Sequence, residues 1–358
     1  MRALITAGGR ATRLRPLTFT INKHLIPLAN RPMLWHALDK IAAAGITEVA
    51  VNINAGDTEI AQSVGDGSRW GVRVTYLEQA GGPLGLAHIL HNAKAWVGDE
   101  DLLFYLGDNI ILGDIAHLIE TFYAEECDGL LSLARCKDLT RFGVPVLDGG
   151  RVTSVVEKPK DPPSPYAVAG IYLYKPSIFG AIAELRPSPR GEYEISDAHT
   201  RLIAQGGKVG WREITGWWKD TGKPEDLIEG NALILDQLKE PKIDPAAEVH
   251  PDARLQGVVQ VAAGAKIGKD VLIRGPVAVG EGCRIDHAYV GPYTSLGAKV
   301  EVEDAEIEHA VVMDGAKIGG GQRLVDSLIG REATVGAMGT RRPQGVKLVV
   351  GDRSSVEM

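Results

Sequence analysis

Apolar and polar positions follow two different patterns along this chain, and the pattern changes near residue 242. In the first part, short apolar runs alternate with longer segments whose apolar residues recur at helical spacing. Predicted strands are 2–6, 47–53, 72–77 and 102–106, and predicted helices are 32–44, 57–64, 85–96 and 114–126. This alternation predicts an α/β domain with a mixed, mainly parallel sheet that carries helices on both faces.

Three later apolar segments complete the first part of the chain. Residues 143–147, 151–156 and 167–174 are predicted strands that either extend the sheet or cap a pocket. A predicted helix at 223–238 is followed by a linker at about 239–245 that contains two prolines. We therefore predict two domains, residues 1–240 and residues 241–358.

The second part of the chain has an aliphatic residue at every sixth position. Only two of the 20 aromatic residues, Tyr289 and Tyr293, lie in this part. The repeat runs without a slip through Ile243, Val249, Leu255, Val261, Ile267, Ile273, Val279 and Ile285. It then shifts by one residue and continues through Val290, Leu296, Val302, Ile307, Val312, Ile318, Leu324, Ile329 and Val335. Hexads of this kind predict a parallel β-helix with three hexads per coil, and the repeat is long enough for roughly five to six coils.

The composition limits the class of binding partner and the cellular compartment that we expect. The 358 residues carry a net charge of −7, which argues against a nucleic-acid partner. Cys127, Cys136 and Cys283 have no paired spacing, which favours free thiols in a reducing, cytoplasmic compartment. We also expect no signal peptide and no membrane span.

Residues Ala7 to Pro27, AGGRATRLRPLTFTINKHLIP, form the segment with the clearest chemistry. Two glycines follow the first predicted strand, and a glycine loop allows backbone N–H groups to approach phosphate oxygens closely. Arg13 and Lys23 add positive charge. The loop lacks both the GK[ST] ending and the GxGxxG pattern of the common nucleotide loops, so it predicts a different triphosphate site.

Asp108 is expected to lie near this loop. It directly follows the predicted strand Leu102–Leu106, while Gly8 and Gly9 follow the strand 2–6. Ligands of doubly wound sheets bind beyond the carboxyl ends of the strands. We therefore expect the glycine loop and Asp108 to converge on one site.

Together with these segments, further motifs give the chain a family resemblance. They are EQAGGPLGLAH, Gly107-Asp108-Asn109, Phe142-Gly143-Val144, Val156-Glu157-Lys158-Pro159, Arg190-Gly191-Glu192 and Trp217-Trp218-Lys219-Asp220-Thr221-Gly222. In this order they resemble the sugar-1-phosphate nucleotidyltransferases, most closely the long form of the glucose-1-phosphate thymidylyltransferases. The hexad tail, ending near Val350-Gly351-Asp352-Arg353-Ser354, is also typical of that form. The resemblance implies a Rossmann-like catalytic domain followed by a left-handed parallel β-helix of hexapeptide repeats.

The implied reaction is attack of a sugar-1-phosphate oxygen on the α-phosphorus of a pyrimidine nucleoside triphosphate. The preferred triphosphate is dTTP, with UTP as the other candidate, and glucose-1-phosphate is the sugar. The products would be dTDP-glucose (or UDP-glucose) and pyrophosphate. The nucleophile is already an anion at pH 7, so the enzyme needs no general base and must hold two polyanions in line.

The resemblance also assigns roles to individual residues. It makes Arg13 the ligand of the departing pyrophosphate, Lys23 the ligand of the α-phosphate, and Asp108 and Asp220 the ligands of Mg²⁺. The remaining candidates bind the two substrates. The nucleotide-binding candidates are Ala7, Gly8, Gly9, Gln79 and Gly85, and the sugar-phosphate candidates are Gly143, Glu157, Lys158, Val168 and Arg190.

Two details of this site can be tested by a structure. Glu157 and Lys158 would face opposite ways on a regular strand, so one must lie at a strand end or bulge for both to reach substrate. Ala11 stands where the family usually has Gly. We expect a negative φ at Ala11, with an altered nucleotide affinity as its only effect.

Two other functions remain open. One is a bifunctional enzyme that also transfers an acyl group on the β-helix, for which His250, His287 and His309 are available. The other is a non-catalytic regulator that binds nucleotide sugars, although such relatives usually lose the charged residues kept here. His24, His36, His88 and His91 lack the spacing of a metal site and are interpreted as structural. The incomplete solenoid favours a homo-oligomer.

Overall fold

The computed structural model describes residues 1–9 and 11–336. The chain divides into two compact units, the first comprising Met1–Leu233 and the second beginning at Ile234. The helix predicted at 223–238 spans Pro224–Leu235, a range that includes the division point. The predicted division at residues 240 and 241 stays a prediction. None of the helices in the described residues is long and apolar enough to cross a membrane.

The first unit alternates strands and helices. Its strands are β1 (Arg2–Thr6), β2 (Pro27–Leu28), β3 (Arg31–Pro32), β4 (Glu48–Ile53), β5 (Arg73–Glu78), β6 (Leu102–Leu106), β7 (Asn109–Ile111), β8 (Gly129–Arg135), β9 (Gly143–Asp148), β10 (Arg151–Glu157), β11 (Tyr166–Tyr174), β12 (Val209–Glu213) and β13 (Trp218–Asp220). The α-helices up to the boundary are α1 (Met33–Ala43), α2 (Glu59–Val64), α3 (Leu86–Val97), α4 (Ala116–Ala124), α5 (Ile178–Ala183), α6 (Ile195–Ala204) and α7 (Pro224–Leu235).

Seven of these strands form the central sheet, in the order β12-β8-β11-β6-β1-β4-β5. All neighbours are parallel except β11, which is antiparallel to both β6 and β8. The predicted mixed, mainly parallel sheet is therefore confirmed. The four predicted N-terminal strands and four predicted helices are present, with ends shifted by one or two residues. The strand predicted at 167–174 lies inside the sheet, whereas β9 and β10 pair only with each other.

The core of this unit lies between the sheet and helices α3, α5 and α6. Leu4, Phe104 and Tyr174 from the sheet are fully buried there, as are Leu90 from α3 and Ala198 from α6. Because β1, β4 and β6 are parallel, their carboxyl ends meet at one edge of the sheet. The predicted glycine loop and Asp108 both follow strands at that edge.

The second unit is a parallel β-helix. Its strands are β14 (Lys242–Ile243), β15 (Glu248–Val249), β16 (Arg254–Gln256), β17 (Val259–Val261), β18 (Lys266–Ile267), β19 (Leu272–Arg274), β20 (Val277–Val279), β21 (Arg284–Val290), β22 (Thr294–Leu296), β23 (Glu301–Val312), β24 (Lys317–Gly319), β25 (Arg323–Ile329) and β26 (Thr334–Val335). The hexad residues from Val261 to Ile318 are buried, whereas Ile243 and Val249 at the first coil are exposed. The handedness stays a prediction, and the predicted tail near 350–354 lies outside the described residues.

The register confirms three hexads per coil. Val261 pairs with Val279, 18 residues later, while Ile273 pairs with Val290, 17 residues later. Residues at the corners of the 17-residue coils adopt a left-handed backbone, for example His287 with φ 45° and Asp304 with φ 51°. The one-residue phase shift in the sequence therefore corresponds to a tighter corner, and the inward positions stay aligned.

Candidate active site

A cavity of about 630 Å³ opens at the carboxyl edge of the central sheet. Most of the predicted site residues line it: Gly8, Gly9, Arg13, Gln79, Gly85, Asp108, Gly143, Glu157, Lys158, Val168, Arg190 and Asp220. Two predicted residues are not in its wall. Ala7 is fully buried at the end of β1, and Lys23 reaches the site through its ion pair with Asp108.

The glycine loop is fixed by the segment that follows β4. The N–H of Ala7 donates to the carbonyl of Asn52 over 2.8 Å, and the N–H of Gly9 donates to Oδ1 of Asn54 over 2.9 Å. A Cβ on Gly8 would lie 3.2 to 3.4 Å from side-chain oxygens of Asn54, Gln79 and Asn52. Gly8 therefore allows close packing of the loop, and Gly9, with φ 108°, uses a conformation that L-residues rarely adopt.

Ala11 adopts the left-handed conformation, with φ 43° and ψ 40°. The expectation of a negative φ is therefore wrong. The Ala11 carbonyl accepts hydrogen bonds from the N–H of Leu14 and from Oγ1 of Thr18, which hold the turn into the 3₁₀-helix Thr12–Leu14. The loop geometry thus requires a conformation that costs a non-glycine residue about 1–2 kcal/mol.

Lys23 and Asp108 form a buried ion pair beneath the glycine loop. Nζ of Lys23 lies 2.6 Å from Oδ2 of Asp108, and a quarter of the Asp108 side chain is exposed to the cavity. Burial alone would raise the pKa of Asp108, but it is outweighed by the charge of Lys23, by the charge that His24 carries when it is protonated at low pH, and by hydrogen bonds from Lys23 and Asn109. The pKa of Asp108 therefore lies well below its usual range. Burial also lowers the pKa of His24 to about 4, so this imidazole is neutral at pH 7.

Asp220 is brought to Asp108 by a short two-stranded sheet. Strands β7 and β13 pair in antiparallel fashion and place Asn109 opposite Asp220. Burial, and then the charge of Asp108, raise the pKa of Asp220 to about 6. The nearest cation to Asp220 is Arg141, whose Nη2 lies 3.5 Å from Oδ2. Asp220 is thus a carboxylate whose negative charge is only partly compensated.

Asn109 and Thr221 fix the position of Asp108. Nδ2 of Asn109 donates to Oδ1 of Asp108 over 2.9 Å, and Oδ1 of Asn109 accepts from the indole of Trp218 over 2.6 Å. Oγ1 of Thr221 donates to the carbonyl of Asp108 over 2.7 Å. The sequence motifs contained these residues, but we assigned them no role, because their function is to orient a neighbour.

Arg13 and Arg141 meet around Gly222. A Cβ on Gly222 would lie 3.0 Å from Oδ2 of Asp220, 3.2 Å from Nη2 of Arg141 and 3.3 Å from Nη1 of Arg13. Arg141 also pairs with Asp226 over 3.1 Å. Arg141 was not predicted from the sequence, where its place directly before the Phe142-Gly143-Val144 motif was the only available signal.

Three of the five predicted sugar-phosphate residues, Gly143, Glu157 and Lys158, lie on or directly after the pair β9–β10. Gly143 pairs with Glu157 at the end of β10, and Oε2 of Glu157 accepts from the hydroxyl of Ser196 over 2.6 Å. Lys158 follows with φ 47° and has its Nζ 3.3 Å from Oε1 of Glu157. The expectation that one of these two residues lies at a strand end is confirmed.

Arg190 approaches the same carboxylate from the segment before α6. Its Nη2 lies 3.4 Å from Oε1 of Glu157 and 2.8 Å from Oε1 of Glu194. Glu194 is buried and precedes α6, the helix that also carries Ser196. Helix α6 was not predicted from the sequence, so Ser196 and Glu194 were missed with it.

Gln79 and Gly85 bound the other end of the cavity. Gln79 directly follows β5 and is 5% exposed. Gly85 has φ 103°, and a Cβ there would lie 2.5 Å from the carbonyl oxygen of Tyr193. Glycine is therefore required at position 85 both by its backbone conformation and by the closeness of residue 193.

Asp108 and Asp220 are suitable ligands for one hard cation. No group of three or more His, Cys, Asp or Glu side chains is arranged for a metal within residues 1–9 and 11–336. Mg²⁺ is usually held by one or two carboxylates together with water and phosphate oxygens, so a pair suffices. The raised pKa of Asp220 fits a carboxylate whose charge a cation would compensate.

Three histidines of the second unit, and the cysteines, have ordinary surroundings. In the second unit, Nδ1 of His287 lies 3.4 Å from Asp270, and His309 contacts Asp326. Nδ1 of His250 accepts from the N–H of Asp252 over 3.1 Å. All three cysteines are free. The acyl-transfer alternative stays untested by these contacts.

Known proteins resemble this chain over its whole length. A family model described as nucleotidyl transferase matches residues 2–237. A glucose-1-phosphate thymidylyltransferase of Streptomyces griseus is 42% identical over 359 residues, covering all of this chain and 99% of that protein. A low-salt glycan biosynthesis nucleotidyltransferase of Haloferax volcanii is 40% identical over 361 residues, covering all of both chains.

The fold of this chain is also similar to that of a solved structure. It is a crystal structure from Bacillus anthracis, described as a glucose-1-phosphate thymidylyltransferase in complex with sucrose. It matches with a TM-score of 0.62 and 35% identity, covering 68% of this chain and 98% of that one. The family model matches more than half of the chain, and a relative 42% identical spans all of it. The chain therefore belongs to the nucleotidyl transferase family, as its motifs predicted.

Proposed function

We propose that this protein transfers a nucleotidyl group from dTTP, or from UTP, to glucose-1-phosphate and releases pyrophosphate. One observation carries the proposal. A single cavity is lined by basic side chains from two parts of the first unit and by the carboxylates of Asp108 and Asp220. Arg13 meets Arg141 and Asp220 around Gly222, and Lys158 and Arg190 lie beside Glu157. The names of the full-length relatives support the choice of thymidylyl transfer to glucose-1-phosphate.

The glycine loop and Arg13 would hold the triphosphate. Glycine loops of this kind bind phosphate oxygens through backbone N–H groups, and Arg13 would neutralise the β- and γ-phosphates that leave as pyrophosphate. Lys23, fixed by its 2.6 Å contact with Asp108, would lie at the α-phosphate. At 4 Å and an effective dielectric near 20, each pair of unit charges is worth about 4 kcal/mol, so several cations are needed to bring two polyanions together.

The sugar-1-phosphate would occupy the half of the cavity near β10 and α6. Lys158 and Arg190 would bind its phosphate. The carboxylate of Glu157 would accept hydrogen bonds from sugar hydroxyls, and main-chain groups of Gly143 and Val168 would add further contacts to the sugar. The attacking phosphate oxygen is already ionised. The neutral His24 near Asp108 is therefore not required as a base.

We further propose that Asp108 and Asp220 hold Mg²⁺. When bound, this cation would neutralise charge on the phosphate that is attacked. Oxygen ligands suit Mg²⁺, and the carboxylate of Asp220 lies 3.5 Å from the guanidinium of Arg141, so its charge is only partly compensated. The chain's own contribution is to orient Asp108 through Asn109 and Thr221 and to hold Asp220 on β13.

Gln79 would select the nucleobase of the triphosphate. Its amide offers one donor and one acceptor, which match O4 and N3–H of thymine or uracil. Gln79 is buried beside Gly8, so its amide can be oriented by the loop. The homo-oligomeric state and the cytoplasmic setting that the sequence suggests stay predictions.

A panel assay tests the proposal. Pyrophosphate release would be measured for dTTP, UTP, ATP, GTP and CTP against glucose-, mannose- and galactose-1-phosphate with Mg²⁺. We expect turnover with dTTP or UTP and glucose-1-phosphate, and a loss of about 10²–10³ in kcat for Asp108→Asn. Absence of pyrophosphate from every combination, with correctly folded protein, would refute the proposal and restore the non-catalytic regulator as the better hypothesis.

A further inference from the structure

His199 is part of the cavity wall but has no role in the phosphate chemistry proposed for the site. It lies on α6, one turn after Ser196, and both side chains line the cavity. The His199 ring is 1% exposed, and its centroid lies 5.4 Å from that of Tyr172 and 5.8 Å from that of Tyr174. The imidazole is therefore held in a fixed orientation by two aromatic rings.

The two ring nitrogens of His199 have different surroundings. Nε2 lies 2.5 Å from the hydroxyl of Tyr174. Nδ1 is buried and has no hydrogen-bond partner among the residues that the structure describes. A buried polar atom without a partner is uncommon and calls for an explanation, such as a ligand or a water molecule.

The hydroxyl of Tyr174 determines which nitrogen carries the hydrogen. Tyr174 is fully buried, and within residues 1–9 and 11–336 its hydroxyl bonds only to His199. Burial raises the pKa of Tyr174 well above its usual value, so the phenol keeps its proton. Burial lowers the pKa of His199 to about 3, so the imidazole is neutral at pH 7.

Among the residues that the structure describes, the phenol hydrogen of Tyr174 has one acceptor within reach, which is Nε2 of His199. A neutral imidazole that accepts at Nε2 carries its own hydrogen on Nδ1. Within the described part of the chain, Nδ1–H is therefore a buried donor that lacks an acceptor, and it belongs to a residue of the cavity wall. Ser196, one turn earlier, donates to Glu157, so His199 belongs to the half of the cavity assigned to the sugar.

We infer that Nδ1–H of His199 donates a hydrogen bond to one oxygen substituent of the sugar and so selects sugar-1-phosphates that carry an acceptor there. This inference rests on the proposed nucleotidyl transfer and adds a specificity-determining residue to it. A site built to bond a substrate hydroxyl rejects an analogue that lacks it, because the buried donor is then left unpaired.

The first test compares deoxy sugars in two proteins. kcat/KM would be measured for glucose-1-phosphate and its 2-, 3-, 4- and 6-deoxy analogues with the wild type and with His199→Phe, which keeps an aromatic ring against Tyr172 and Tyr174. The measured quantity is the ratio of kcat/KM for glucose-1-phosphate to kcat/KM for each deoxy analogue. For one analogue we expect this ratio to be about 5- to 150-fold larger in the wild type than in His199→Phe. The ratios for the other analogues and the KM for the triphosphate should not change.

An equal loss for every sugar would overturn the inference, because a purely structural role would lower all rates together. A wild type that turns over no sugar phosphate would instead refute the proposed function. Thermal unfolding of His199→Phe checks that the variant folds.

A second test is made on the wild-type protein and uses the variant only to assign a resonance. Nitrogen-15 NMR of the wild type would locate the imidazole hydrogen, with the His199 resonance assigned by its loss in His199→Phe. We expect Nδ1 protonated and Nε2 unprotonated from pH 6 to 8, and a change at Nδ1 on saturation with glucose-1-phosphate. A hydrogen on Nε2, or no change at saturation, would overturn the inference.

Discussion

Replacing Asp220 with Asn should make the metal-free protein more stable and the enzyme much less active. Burial and the charge of Asp108 raise the pKa of Asp220 from 3.8 to about 6 in the folded protein. The folded state therefore binds a proton more tightly than the unfolded state, and the ionised carboxylate opposes folding at neutral pH. Asn removes that charge while keeping the size of the side chain.

The size of the effect follows from the raised pKa. A rise from 3.8 to about 6 corresponds to about 3 kcal/mol as an upper value, at about 1.36 kcal/mol for each pKa unit. The advantage of the Asn variant should be complete above pH 6, decline between pH 6 and 3.8, and vanish below that range, where both states of the wild type are protonated. With dTTP, glucose-1-phosphate and Mg²⁺, kcat should fall by about 10²–10³.

Thermal unfolding from pH 4 to 8 in EDTA tests the stability part. The matched control is Asp226→Asn in the same cluster. Burial would raise the pKa of Asp226, but hydrogen bonds from Lys219 and Arg141 lower it overall, so this variant should lose stability at pH 8. If Asp220→Asn is no more stable than the wild type at pH 8, or if its advantage does not depend on pH, the electrostatic interpretation of this site is wrong.

Three further predictions concern the loop, the arginine pair and the β-helix. Ala11→Gly should raise the melting temperature by about 1–3 °C, because it relieves about 1–2 kcal/mol of backbone strain, which exceeds the stabilisation of the unfolded chain by its added entropy. The control, Ala43→Gly in helix α1, should lower the melting temperature. Gly222→Ala should lower kcat/KM by about 10- to 100-fold, because its Cβ would displace Asp220 and Arg13. The control, Gly230→Ala, should keep wild-type activity, because a Cβ at residue 230 makes only ordinary contacts. Acetyl-CoA with glucosamine-1-phosphate should yield no acetylated product, and product formation that requires His309 would reverse this expectation.

The sequence could predict most of the fold because hydrophobic periodicity is a local property. The hexad repeat placed the inward residues of the β-helix, and the early strands and helices followed from apolar runs and glycine ends. Strand β8, GLLSLAR, was missed because a short apolar run does not distinguish a buried strand from a helix. Helix α6, ISDAHTRLIA, was missed although its apolar residues recur at helical spacing, because few of those residues are large.

The site was predictable only as far as its motifs reach. Asp108 and Asp220 were paired as metal ligands only through the family resemblance, because their proximity depends on the pairing of β7 with β13 across more than a hundred residues. No spacing in the sequence reveals that pairing. The conformation of Ala11 was predicted wrongly because steric preference favours a negative φ, whereas the hydrogen bonds to its carbonyl decide the loop.

The unequal coils of the β-helix indicate where the length of this protein can change during evolution. Coils of 18 and 17 residues stack with the same inward positions, because the missing residue is absorbed at a left-handed corner such as His287. A deletion or insertion at a corner therefore preserves the packing of every neighbouring coil, whereas the same change within a strand would turn its aliphatic residue outward. Gaps between related sequences should accordingly gather at the corners, and peptide tags or loops should be accepted there with little loss of stability.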